Sequence, residues 1–204
     1  GEREEMLLGE SLSMKLGFEG RPLTMHLMPQ SFFQTNTAVA RELYTQVAQW
    51  ALRVHPASLW DLYCGVGGFA LHCASELEAA GSHCEVLGVE LSPAAIDSAA
   101  RSSRDAGLSA RFVADDATSF ALGTERGALP EMLIVNPPRR GIGAELAGWI
   151  EGSGIPSLVY SSCNPESLAR DLAAMPAYRV IEGRVFDMFP HTSHLEVAVL
   201  LERA

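Results

Sequence analysis

A thiol, Cys163, stands in the stretch "YSSCNPESLARDL", residues 160–172, where the apolar run "IPSLVY" stops at two serines and helix-like spacing begins after Pro165. A cysteine at a strand-to-helix handover is either a small inert filler or a nucleophile held at a mouth, since free cysteines pack well and only their thiolates react. A second group of residues has the chemistry of a ligand cradle. The stretch "DLYCGVGGFAL" sets Gly65, Gly67 and Ala70 at G-x-G-x-x-A spacing, which lets backbone approach a ligand ahead of a helix N-terminus. Glu90 ends the next apolar run, where a carboxylate can accept both hydroxyls of a ribose. In "VADDATSF", Asp116 is the better candidate for an adenine amino group, with Asp115 its solvated neighbour. In "IVNPPRRG", two prolines stiffen the loop after Asn136, which would then face a pocket at the carboxyl ends of strands. Together these residues suit a nucleoside cofactor, and NAD and S-adenosylmethionine both fit the spacing.

Positioning such residues requires a regular frame. Short apolar runs, "SLWDLY", "EVLGVEL", "ARFVAD", "EMLIVN" and "PSLVYS", alternate with helix-length segments, the pattern of a mostly parallel α/β sheet. Ahead of them, Val39, Leu43, Val47, Trp50 and Val54 recur every three or four residues from a cap at Asn36 and predict a helix up to Val54. Ser92, Pro93 and Gly107 punctuate another helix. The last two runs, "RVIEGRVFDMF" and "HLEVAVLLER", are joined by "PHTS" with no helix between. They predict an antiparallel pair closing one side of the sheet. Residues 6–28 alternate around Glu19-Gly20-Arg21-Pro22 and predict a hairpin. We therefore divide the chain into residues 1–35, the remnant of an upstream β subdomain, and residues 36–204, a catalytic domain.

Composition narrows the class. The 204 residues are 48% hydrophobic, enough for one domain with a sizeable core. A net charge of −10 and a pI near 5.0 give no general basic footprint, so affinity for a nucleic acid would need a local patch or residues outside this chain. No signal peptide is apparent, and no apolar run reaches membrane-spanning length. The four cysteines, Cys64, Cys73, Cys84 and Cys163, have neither C-x-x-C nor zinc-site spacing. We expect free thiols, a cytoplasmic location and a monomer.

The segments "PQSFFQTN", "DLYCGVGGFALHCA", "NPPRRGIG", "YSSCNPESLARDL" and "DMFPHTSHLEV" together make the chain similar to the S-adenosylmethionine-dependent RNA uracil-5-methyltransferases. The resemblance is strongest to the RumB-type branch acting on bacterial 23S ribosomal RNA. It implies a Rossmann-like methyltransferase fold, a mostly parallel seven-stranded sheet with an antiparallel last strand. It also implies cofactor contacts at Gln34, Tyr63, Glu90 and Asn136, a nucleophile at Cys163 and a base at Glu196. Asn136 stands where other branches carry Asp, which agrees with the RumB-like branch. Full-length relatives would hold a 4Fe-4S cluster on upstream cysteines, a motif this chain lacks.

The implied target is C5 of a uridine in a hairpin or loop of 23S rRNA, where leaving the stack costs least. Phe32, Phe33 and Phe189 are conceivable stacking surfaces or core residues, and His191 and His194 either touch substrate or form a polar turn. The helix start after Pro165, with Arg139 or Arg140, would favour a thiolate at Cys163. Those arginines could equally bind phosphate or form surface ion pairs. Rival readings are an RNA cytosine-5-methyltransferase, which typically carries a second cysteine where this chain has "NPPRRG", and amino-group methylation. A non-catalytic S-adenosylmethionine-binding module serving the ribosome and an NAD-dependent dehydrogenase complete the set.

Overall fold

The computed structural model describes residues 12–18, 21–27, 36–188, 192 and 195–204. Seven strands form the main sheet, in the order β5-β4-β3-β6-β7-β9-β8. These are β3 (Ser58–Leu62), β4 (Glu85–Glu90), β5 (Arg111–Ala114), β6 (Met132–Val135), β7 (Ser157–Ser162), β8 (Tyr178–Phe186) and β9 (Glu196–Arg203). The first five run parallel, while β9 is antiparallel to both β7 and β8. The chain builds outward from β3 to β5, then returns to lay β6 and β7 on its other side. Open α/β sheets bind ligands at such a reversal of strand order, at the carboxyl ends of the strands.

The helices α1 (Thr37–Val54), α2 (Gly68–Ala79), α3 (Pro93–Asp105), α4 (Ala117–Gly123), α5 (Gly143–Ser153) and α6 (Pro165–Ala173) cover both faces. Side-chain alternation along the strands divides the core accordingly. Leu59, Met132, Ile134, Val159, Ala198 and Leu200 face α1 and α2, where Leu43, Val47, Trp50, Leu71 and Leu77 meet them. Leu62, Leu133, Val135, Leu158 and Tyr160 face the opposite way, toward Leu146, Ile150 and Leu168. Each fully buried large aliphatic side chain contributes about 1.5–3 kcal/mol, so the inner strands are firmly held.

The capping chemistry explains several boundaries. Asn36 accepts from Val39 N and starts α1, and Ser92 accepts from Ala95 N with Pro93 opening α3. Two strand limits differ from the sequence pattern. β7 runs on through Ser161 and Ser162, both buried, because their hydroxyls are paired inside the sheet edge. The hairpin β1 (Leu12–Phe18) and β2 (Arg21–Leu27) already includes Arg21 and Pro22 in its second strand, opposite Phe18 and Gly17. Its Leu16, Leu23, Met25 and Leu27 join the core on the α1 side. His26 fastens it to α3, with its backbone N donating to Ser102 at 2.9 Å and its ring nitrogen 2.7 Å from Asp105.

Candidate active site

The β3–α2 turn is shaped by its backbone. Tyr63, Gly65 and Gly67 all have positive φ, at 63°, 54° and 85°. That conformation is uncommon for a residue such as tyrosine and is seen where a site demands it. A Cβ at Gly65 would meet nothing within 4 Å, so this glycine answers to conformation and leaves the backbone open. Gly68 answers to packing, since a Cβ there would come within 2.6 Å of the Tyr44 ring. That ring also lies edge-on to Phe69, with centroids 5.0 Å apart.

Two carboxyl groups tie the turn down. Glu90, half-buried at the end of β4, accepts from Gly65 N at 3.3 Å and from Ser92 N at 3.0 Å. Each oxygen keeps a lone pair for a further donor. Asp61, with 0% exposure, accepts from Ala70 N at 3.0 Å through Oδ2, while Oδ1 has no donor among the described residues. Burial pushes its carboxyl up to about 8, opposed by the Ala70 amide and reinforced by Glu90. A buried acceptor without a partner beside a glycine turn suits a ligand that brings a donor of its own. These residues fit an amino-acid-bearing nucleoside.

The remaining candidates line the same edge of the sheet. Tyr63 follows β3, half-buried and hydrogen-bonded to Thr118; burial pushes its phenol up. Asp115 and Asp116 follow β5; Asp116 caps α4 by accepting from Ser119 N at 2.9 Å, and Asp115 accepts from Asp116 N at 2.8 Å. Asn136 follows β6, its backbone N donating to Leu62 O at 3.3 Å. Gln34, Phe32, Phe33, Phe189, His191 and His194 lie outside the described residues.

Cys163 follows β7, half-buried, and Glu196 opens β9. Ser162 closes β7 opposite Val197, so Cys163 leaves β7 at the end where Glu196 opens β9. The two groups feel each other: burial first, then the Glu196 charge, pushes the Cys163 thiol up, and Arg139 pulls it down. The net direction is upward, contrary to the thiolate-favouring environment expected from the helix start and the arginines, because burial and the carboxylate outweigh Arg139 and the thiol's own backbone contact. Glu196 has 3% exposure, and burial raises its carboxyl to about 7, opposed by the hydroxyl of Ser161. Its basicity thus lies near neutrality, where a general base works best.

The loop carrying Arg139 and Arg140 is pinned from α6. Asn164 caps that helix through Glu166 N at 3.1 Å and donates from Nδ2 to Arg139 O at 2.9 Å. Arg170 donates to Arg140 O at 2.5 Å, and buried Asp171 accepts from Ile142 N at 2.8 Å and Tyr160 Oη at 2.7 Å. Both arginine side chains stay exposed. Arg139 bears electrostatically on Cys163, and Arg140 on Tyr63.

Comparison with known proteins now separates the readings left open by the glycine turn. Residues 60–128 match the model of a methyltransferase domain and residues 128–204 that of tRNA (uracil-5-)-methyltransferase. A putative 23S rRNA (uracil(747)-C(5))-methyltransferase RlmC of Haemophilus ducreyi is 47% identical over 182 residues, 89% of this chain and 85% of that protein. The chain belongs to the RNA uracil-C5-methyltransferase family. Another family member, RlmC of Shewanella amazonensis, a 23S rRNA (uracil(747)-C(5))-methyltransferase, is 47% identical over 97% of this chain and 50% of its own length. The chain spans about half the length of such curated relatives. The Pyrococcus abyssi tRNA (uracil-54, C5)-methyltransferase, solved with S-adenosyl-L-homocysteine, superposes with a TM-score of 0.79 at 29% identity, over 95% of this chain and 45% of that one. The fold is that of S-adenosylmethionine-dependent methyltransferases.

Three residues near the candidate site carry little mark in the sequence. Asp61 could have been found as an acidic residue inside the apolar run "SLWDLY", because a buried carboxyl requires a reason. Tyr44 lies on a helix whose period marks it as core, and nothing local marks its approach to Gly68. Ser161 reads as an ordinary strand end. Among the described residues no group of three or more His, Cys, Asp or Glu could hold a metal ion, and no helix is long and apolar enough to cross a membrane.

Proposed function

We propose that the protein methylates C5 of a uridine in 23S ribosomal RNA, with Cys163 as nucleophile and Glu196 as base. The observation that carries the reading is a half-buried thiol at the end of β7 within electrostatic reach of a buried carboxyl of near-neutral basicity at the start of β9, at the same end of the sheet as the glycine turn. C5 of a resting uracil is a poor nucleophile. Addition of the Cys163 thiolate forms an S–C6 bond and moves the C5–C6 π pair into an enolate, making C5 nucleophilic. When bound, S-adenosylmethionine supplies the electrophilic methyl that C5 takes. Glu196 then removes the original C5 proton, the C5–H pair restores the C5–C6 double bond, and the S–C6 bond breaks to return the thiolate. The proton leaves from Glu196 to water.

Cofactor binding falls to Gly65, Tyr63, Glu90, Asp116 and Asn136, joined by Gln34 and by Asp61. Glu90 suits the ribose hydroxyls and Asp116 the adenine amino group. Arg139 and Arg140, exposed on a loop pinned from α6, offer local positive charge on a chain of net charge −10. A looped-out uridine in a hairpin is the suited substrate, since its base leaves the stack at least cost. The hairpin β1–β2 is read as part of an upstream β subdomain docked on α3, and the 4Fe-4S cluster of full-length relatives as a feature of that region. A monomer acting in the cytoplasm completes the reading.

A 23S rRNA hairpin bearing tritium at C5 of its uridines tests this reading. Tritium should pass to water only with S-adenosylmethionine present, in step with formation of 5-methyluridine. Methyl groups appearing on an amino nitrogen, with tritium retained, would replace C5 chemistry by amino-group methylation.

A further inference from the structure

Ser161 is a fully buried strand residue whose Oγ donates to Glu196 Oε1 at 2.5 Å, joining groups 35 positions apart in sequence. The register explains the contact. Ser161 lies opposite Ala198 across β7 and β9, so Glu196 is its diagonal neighbour on one face. Ser161 and Glu196 thus meet across two antiparallel strands, and Cys163 follows β7 two residues beyond Ser161, within electrostatic reach of Glu196.

We propose that Ser161 is a positioning residue for the base: its hydroxyl holds one oxygen of Glu196 and leaves the other free to take the C5 proton of a pyrimidine bound at Cys163. This rests on the reading of Cys163 and Glu196 given above. Among the described residues, Ser161 is the group whose hydrogen bond opposes the effect of burial on Glu196. With 0% exposure of its own, Ser161 has no bulk water as an alternative partner. Removing the hydroxyl would leave a buried carboxylate short of a donor, and the neutral form would gain. The other titratable groups near Glu196 are Cys163 at the end of β7, with Arg139 beside it, and Tyr44 from α1, whose phenol is pushed up partly by Glu196. β8 sets Phe186 opposite, which carries no charge.

The test follows the rate of tritium release from C5-labelled hairpin RNA against pH in single turnover, for wild type, Ser161→Ala and the near-isosteric pair Ser161→Thr and Ser161→Val. Covalent capture on 5-fluorouridine RNA is measured in parallel. We expect the midpoint of the pH profile to rise by about one unit in the Ala and Val variants, with about fivefold slower release at pH 7, and to return toward wild type in Thr. Fluorouridine capture stays near the wild-type rate in all four, since it requires attack and methylation but no proton removal. If one hydroxyl-lacking variant fails to fold, the other against Thr still decides. An unchanged midpoint in the folded Ala or Val protein, with capture intact, overturns the inference alone. Absence of any Cys163 adduct in wild type overturns the underlying reading and this inference with it.

Discussion

The two halves of the proposed site, one for the cofactor and one for the reacting base, are built by different means. Around the glycine turn, the groups proposed to hold the cofactor come from segments close in sequence: Asp61, Tyr63, Gly65 and Ala70 span one strand-turn-helix unit, and Glu90 ends the next strand. Backbone amides do much of the positioning there, with Gly65 and Ala70 donating to Glu90 and Asp61. At the other half, Glu196 is brought to the end of β7, within electrostatic reach of Cys163, because β9 inserts antiparallel between β7 and β8. On the proposed function, the cofactor half is therefore a local motif, whereas the reacting half depends on topology.

The largest expected effect falls on the reacting half. Glu196→Gln should slow turnover by about 10²–10⁴-fold, the usual range for loss of a general base. Attack and methyl transfer should survive, so the covalent RNA–protein complex should accumulate on ordinary uridine RNA in a denaturing gel. A variant that is equally slow but shows no accumulated complex would move Glu196 to an earlier step and blur the division between the halves.

A change in the cofactor half should instead appear in stability and its pH dependence. Asp61 is held up at about 8 by burial, against about 3.9 in an unfolded chain. The folded state binds that proton more tightly, so its stabilising contribution is complete below pH ~4 and is lost as pH rises toward 8. Asp61→Asn, which cannot ionise, should flatten that loss, a difference on the order of a few kcal/mol in urea unfolding compared at pH 5 and pH 8. Glu196 gives a smaller slope of the same sign in both proteins. Equal slopes for wild type and Asp61→Asn would mean that Asp61 is ionised in the fold.

The smallest effect tests a packing contact at the glycine turn that also feels the charge of Glu196. Tyr44 packs over Gly68, and burial first, then the charges of Asp61 and Glu196, push its phenol up. Gly68→Ala drives a Cβ into that ring and should cost about 1–3 kcal/mol, lowering Tm by roughly 2–4 °C for each kcal/mol. S-adenosylmethionine affinity, measured by calorimetry, should fall as the start of α2 shifts. A Tm loss without any loss of affinity would confine Tyr44 to packing.

The same contrast explains what could be read from the sequence. The α/β rhythm, the helix over Thr37–Val54 and its Asn36 cap, the α3 punctuation and the final antiparallel pair all follow from local patterns. The glycine turn was equally legible, because positive φ at Gly65 and Gly67 leaves a compositional trace. The burial of Glu196 was not legible, since a glutamate at the start of an alternating strand looks solvated until β9 is paired with β7, and its role as base rests on resemblance to a family. Ser161 and Tyr44 left no trace, because their significance lies in contacts across 35 positions and across two packed helices. The upward shift of the Cys163 thiol was missed for the same reason: the helix start is local, while the opposing carboxylate comes from the far end of the chain.

The most direct measurement of the central claim is capture on an RNA hairpin containing 5-fluorouridine in the presence of S-adenosylmethionine, followed by mass spectrometry of the RNA-linked peptide. Fluorine cannot leave as a proton does, so the reaction should stop after methyl transfer with the methylated nucleotide attached to Cys163, and Cys163→Ala should give no complex. Attachment at Cys64, Cys73 or Cys84, or no complex on RNA and cofactor that the protein demonstrably binds, would contradict Cys163 as the nucleophile.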